Sequence, residues 1–103
     1  MLLSLSMVII SKKIIKEYAQ THPTHYTSLQ RWHDITERAD WSNFAETKKD
    51  FNSVDNVGDS LFIFNIKGND CRLVARIFFN VRTVFIRFIG THAEYDKLNL
   101  KDL

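Results

Sequence analysis

A chain of 103 residues has room for one domain and one modest core. Its 45% hydrophobic, 13% aromatic and 25% charged residues give the balance of a folded globular protein, which excludes a disordered or low-complexity segment. The formal net charge of +2 is too small to announce a nucleic-acid partner by bulk charge, and a single cysteine, Cys71, excludes an internal disulfide and any two-cysteine zinc motif.

The opening MLLSLSMVII is apolar for only ten residues, with no basic lead and no small-residue cleavage pattern after it. It therefore reads as neither a signal peptide nor a membrane span. Met7 reads as the effective start, so residues 1–6 are an extension of one domain covering 1–103. MVII is a short first strand. Ser11 looks like the N-cap of a helix carrying Ile14, Ile15 and Tyr18 on one side, ending near THP. Pro23 separates it from a second helix, Thr24 to Arg38, where Tyr26, Leu29, Trp32 and Ile35 fall near helical spacing. DWSNFAETKK adds a shorter helix with Trp41, Phe44 and Ala45 as apolar contacts, and DFNSVDNVGDS is a loop by composition.

The period then changes. LFIFNI, RLVARIFF and TVFIRFI are strand-length and rich in branched and aromatic residues. KGND and NVRT separate them, which predicts a meander of three antiparallel strands. Helices first and strands after argue for an α+β fold, with an N-terminal strand and helices packed on one face of a twisted antiparallel sheet. The eight Phe predict aromatic packing in the core.

Charge is concentrated in this strand-rich part. Between Leu61 and His92 the basic residues are Lys67, Arg72, Arg76, Arg82 and Arg87, against Asp70 alone. Alternation puts Leu73, Ala75, Ile77 and Phe79 on the core face and Arg72, Val74, Arg76 and Phe78 on the other. A two-residue loop at Val81-Arg82 pairs Phe79 with Val84, Ile77 with Ile86 and Arg76 with Arg87. A two-residue GN turn in the preceding hairpin sets Arg72 opposite Asn65. Arginines facing each other are unfavourable. Either they splay into water or they share an anion. Val74, Phe78, Phe85 and Ile89 make this face half apolar, which suits RNA, whose bases stack on aromatic surfaces.

Gly90 ends the apolar run and can redirect the chain. Thr91-His92-Ala93-Glu94 fits a capping box that starts a short helix. Such a start and a functional role are compatible. A neutral His92 can act as general base, and Tyr95, three residues on, can donate a proton or stack. His22 and His25 flank Pro23 in a loop, His33 lies beside Trp32, and none has metal-ligand spacing. Cys71 reads as a buried small hydrophobe. No metal and no cofactor is expected. Basic groups with a His and a Tyr on one face suggest metal-independent RNA cleavage, in which the 2′-hydroxyl attacks the adjacent phosphorus.

FNIKGNDCRLVARIFF followed by VFIRFIGTHAEYDK resembles the core signature of the HigB-type toxins of bacterial toxin–antitoxin systems, a branch of the RelE-like mRNA interferases. MVIISKKIIKEYAQTHP and DWSNFAETKKDF are also typical of that family, so the resemblance covers nearly the whole chain from Met7. It implies a compact RelE-like fold and an endoribonuclease that cuts mRNA, usually on the translating ribosome; the lone cysteine fits a reducing cytoplasm. It also implies a HigA-type helix-turn-helix antitoxin as partner, a toxin–antitoxin heterotetramer, and operator DNA met only through the antitoxin. Arg72 matches the strand arginine implicated in phosphate stabilisation; His92 and Tyr95 match the C-terminal acid–base or stacking positions. These three are the catalytic candidates. Lys67 and Asn69 at the hairpin tip, with Arg76 and Arg87 from face parity, are the RNA-binding candidates. A non-catalytic RNA- or protein-binding module, or a degenerate toxin that binds antitoxin without efficient cutting, is the alternative.

Overall fold

The computed structural model describes residues 6–68 and 70–103. Its elements are β1 (Val8–Ile10), α1 (Lys13–Thr21), a 3-10 turn (Pro23–His25), α2 (Tyr26–Arg38), α3 (Phe44–Asp50), β2 (Asp55–Asn56), β3 (Leu61–Ile66), β4 (Cys71–Phe78), β5 (Thr83–Thr91), α4 (His92–Asp96) and a 3-10 turn at Leu100–Asp102. Five strands form one sheet in the order β1-β5-β4-β3-β2. The β3-β4-β5 meander is antiparallel as expected, but β1 runs parallel to β5, so the sheet as a whole is mixed. The helices between β1 and the meander supply the long crossover that a parallel pair needs.

Two local readings change. Ser11 is not an N-cap: it sits at φ 73, and α1 starts beyond it without a side-chain cap. The Ser11 carbonyl accepts from the Ile14 amide at 3.1 Å, so this residue makes the sharp turn from strand to helix through the left-handed region. Tyr26 and Ala45 face solvent, while Leu29, Trp32 and Thr36 form the buried stripe of α2. The segment read wholly as loop contributes the two residues of β2 to the sheet edge.

One face of the sheet meets the helices. Leu73, Ala75 and Ile77 of β4 and Val84 and Ile86 of β5 join Ile15, Leu29 and Trp32 in the main core. Aromatic rings link its parts: Trp32 meets Phe64 edge-on at 5.4 Å, Phe64 meets Phe51 at 5.2 Å, and Phe51 meets Trp41 at 6.0 Å. Trp41 Nε1 donates to Asp50 Oδ2 at 2.8 Å, which satisfies the indole while its ring is buried. The other face carries a smaller cluster, Leu61, Ile63 and Val74, roofed by Phe88, Tyr95, Leu100 and Leu103. The chain after β5 thus folds back over the sheet's outer face.

The strand register differs from the expected one in two places. Phe79–Val81 form a 3-10 turn and Arg82 sits at φ 51, its guanidinium paired with Asp40, so β4 closes with Phe78 opposite Thr83 and Ile77 opposite Val84. A bulge follows: Ala75 pairs with Ile86 but Val74 pairs with Phe88, leaving Arg87 as the extra residue. Arg76 therefore faces Phe85, and the expected Arg76–Arg87 pair does not exist. Past the bulge the faces exchange, so Ile89 packs with the main core while Phe88 joins the outer cluster. Among the described residues no helix is long and apolar enough to cross a membrane.

Leu73 is fully buried in the main core. Leu73→Ala is expected to cost about 2–5 kcal/mol, the range for emptying such a site. Urea unfolding measures it, and a loss under about 1 kcal/mol is incompatible with this packing.

Candidate functional site

The candidates converge where β4 begins and β5 ends. Arg72 lies on the outer face with Asn65 opposite on β3, as expected from the hairpin turn, and Gly90 opposite on β5. Gly90 does not redirect the chain; β5 runs through it to Thr91. Its need for glycine is steric: a Cβ there would meet the Phe88 ring at 2.3 Å and Glu94 Oε1 at 3.2 Å. The bare backbone lets the Phe88 ring and the capping Glu94 close over the strand beside Arg72. Arg72 is half-buried, and its charge acts on Tyr95 from α4. Burial pushes the Tyr95 phenol up, against a smaller opposite pull from Arg72, so at neutral pH this ring is a proton donor or a stacking surface.

The capping box holds α4 in place. Glu94 N donates to Thr91 Oγ1 at 3.2 Å and Thr91 N donates to Glu94 Oε1 at 2.8 Å. These bonds hold the Glu94 carboxyl below its ordinary range, with His22 adding to the effect from across the end of β5. His92, the first residue of α4, is exposed, and its Nδ1 lies 3.6 Å from Asp96 Oδ1. Arg72 and Tyr95 thus share one surface, with His92 at its open edge.

The RNA-binding candidates divide. Lys67, at φ 52 in the hairpin turn, donates from Nζ to Thr24 O at 3.3 Å and ties the hairpin tip to the Pro23–His25 turn. Asn69 lies outside the described residues. Arg76 shares the face of Arg72, about 13 Å further along β4 at strand rise, but its guanidinium is engaged: Nε donates to Leu103 O at 2.8 Å and Nη1 to Ser60 Oγ at 3.2 Å. Arg87 projects from the bulge into solvent.

The site also contains residues to which the sequence alone assigns no role. Tyr18, His22 and His25 form a stack beneath the same end of the sheet, with Tyr18 and His22 ring centres 4.1 Å apart and nearly parallel. The Tyr18 hydroxyl is hydrogen-bonded to His25 Nδ1 at 3.0 Å and lies beside the Cys71 thiol. Burial pushes both the phenol and the thiol up, and Tyr18 and Cys71 remain protonated at neutral pH. The spacing i, i+4, i+7 is the available signal, although α1 ends at Thr21 and His22 and His25 join the stack from the turn that follows. Among the described residues no group of three or more His, Cys, Asp or Glu stands where it would hold a metal ion.

Residues 25–98 match the family described as HigB_toxin, the RelE-like toxic component of a toxin–antitoxin system. The chain is 34% identical to the mRNA interferase toxin HigB of Escherichia coli (strain K12), over 87% of its own length and 88% of the relative's. The same figures hold for mRNA interferase HigB of Shigella flexneri. Identity is 32% to mRNA interferase HigB of Escherichia coli O6:H1, over 89% of this chain and 91% of that one.

Two substitutions test this geometry. Arg76→Ala removes two hydrogen bonds from a cation and is expected to cost about 1–3 kcal/mol, with faster hydrogen exchange in residues 100–103; unchanged stability and exchange would show that the Leu103 contact holds nothing. Glu94→Gln keeps the capping acceptor and removes the charge. Because the folded carboxyl is lowered, its contribution is present above the unfolded value and lost as pH falls through the folded one. Wild type should therefore outlast Glu94→Gln in urea at neutral pH, and the two curves should converge below about pH 4. A constant gap across that range would contradict the lowered carboxyl.

Proposed function

The chain belongs to the HigB family of RelE-like toxic components of toxin–antitoxin systems, and on that premise we propose that it is an mRNA interferase, an endoribonuclease that stops translation by cutting mRNA. As the toxic component of such a system it has an antitoxin as partner. We assign that partner to the HigA-type helix-turn-helix class, joined to the toxin in a heterotetramer that meets operator DNA through the antitoxin. The working location is the cytoplasm, and the substrate is mRNA on the ribosome.

The observation that carries the reading is Arg72, a half-buried arginine between Asn65 and Gly90, with Tyr95 on its own face and His92 at the rim. A base takes the proton of a ribose 2′-hydroxyl, and the oxygen attacks the adjacent phosphorus. The bond to the 5′-oxygen breaks, that oxygen takes up a proton, and a 2′,3′-cyclic phosphate remains. Arg72 neutralises the charge that builds on the phosphoryl oxygens, where a fixed cation is most effective. Tyr95 stacks on a base or donates a proton, and His92 moves protons at the open edge. No metal takes part in this chemistry. Lys67, Asn69 and Arg87 meet the RNA backbone or ribosome around the cut, and Arg76 adds positive potential from its anchored position.

Induced in a bacterium, the chain should arrest growth and produce codon-phased 5′ ends in cellular mRNA. Arg72→Ala should lower cutting by about 100-fold or more with its fold retained. Strong expression without growth arrest or new 5′ ends overturns the reading in favour of a non-catalytic binding module or a degenerate toxin.

A further inference from the structure

An imidazole that serves as base for the 2′-hydroxyl must present an unprotonated nitrogen in a fixed direction. His92 is weakly held for such a role, being exposed, on a helix of five residues, with one long contact to Asp96. His22 is held far better. Its Nδ1 lies 3.0 Å from Thr21 Oγ1 and 3.3 Å from the Tyr18 carbonyl oxygen, while Thr21 Oγ1 also donates to that carbonyl at 3.2 Å. A carbonyl only accepts, and a hydroxyl that donates to it has its lone pairs left for Nδ1–H. Both neighbours therefore place the proton of neutral His22 on Nδ1 and leave Nε2 as the acceptor. The ring is clamped flat against Tyr18, itself fixed by its hydroxyl's bond to buried His25.

The position suits a base. The Tyr18 hydroxyl lies beside Cys71, the residue next to Arg72 on β4, and Cys71 is paired across the sheet with Thr91, the residue before His92. His22 thus stands on the helix side of the sheet's end, the face opposite to Arg72, and its charge reaches round to Glu94 at the start of α4. His25 is the first residue of the span that matches the family, so Tyr18 and His22 lie before it.

We propose that His22 is the general base of RNA cleavage, its Nε2 taking the 2′-hydroxyl proton, with Thr21 and the Tyr18 carbonyl as the groups that fix its tautomer. This rests on the RNA-cleaving reading above. The 2′-oxygen forms its bond to phosphorus as the proton passes to Nε2, and the bond to the 5′-oxygen breaks as that oxygen is protonated from the α4 side, where His92 and Tyr95 stand.

The test uses the full chain with ribosome-bound mRNA in single-turnover cleavage. Two scissile linkages are compared, the natural one and one whose 5′-bridging oxygen is sulfur, a leaving group that needs no protonation. His22→Ala and His22→Gln should both cut about 10²- to 10⁴-fold more slowly, equally on both linkages, and unfolding curves for both variants establish that they are folded. A loss that disappears on the sulfur linkage makes His22 the acid and overturns the assignment, as does cutting at the wild-type rate by a folded variant. If wild type itself cuts neither substrate, the RNA-cleaving reading falls and this proposal with it; if wild type cuts and the His22 variants cut equally well, only the assignment of the base falls.

Discussion

One extra residue in β5 sets the geometry of the functional end. Without the bulge at Arg87, strict alternation would carry Ile89 to the outer face and Phe88 to the core. With it, Ile89 packs half-buried against the main core, Phe88 crosses to the outer face and lies over Gly90, and Arg72 finds a residue without a side chain opposite. Arg72 is thereby paired with the one position of β5 over which the Phe88 ring and the capping Glu94 both close. A bulge also raises local twist, which suits a strand that must end by turning across its own sheet.

Both faces of the sheet are used, for different ends. The helix face buries the larger cluster and carries the stability of the domain. The outer face buries only Leu61, Ile63 and Val74 under the returning chain, and leaves Arg72 half-exposed at the end of that cover. Arg76 shows how the returning chain is kept in place, by an arginine whose donors bind the Leu103 carbonyl and Ser60. Two arginines four residues apart on one strand therefore serve different purposes, and what separates them is the partner within reach.

Much of this is legible in the residues. Branched and aromatic runs mark the meander, the apolar parity of Leu73, Ala75 and Ile77 marks the core face, and Thr91 with Glu94 marks the start of α4. The Asn65–Arg72 pairing follows from the length of the KGND turn. The β4–β5 register does not follow, because NVRT can close a hairpin in several ways. The 3-10 turn with Arg82 at φ 51 rests on its ion pair with Asp40, which is distant in sequence. The bulge is hidden because Arg87 is a residue that either face of an exposed strand accepts. The grouping of Tyr18, His22 and His25 is hidden because Pro23 reads as a break, whereas the chain leaves the helix at His22 (φ -135, ψ 62) and the 3-10 turn that follows brings His25 back onto the stack.

Cys71 is the single thiol of the chain and is fully buried, one residue from Arg72 and against the Tyr18 hydroxyl. Burial also keeps it protonated, so it is shielded from electrophiles both by access and by charge state. A thiol reagent therefore reaches it only when the junction of α1, β4 and β5 opens. The rate of its modification is a clock for breathing at the functional end, set apart from global unfolding whenever the two differ. The protein carries its own reporter on whether antitoxin or RNA tightens that junction, without any residue being added to it.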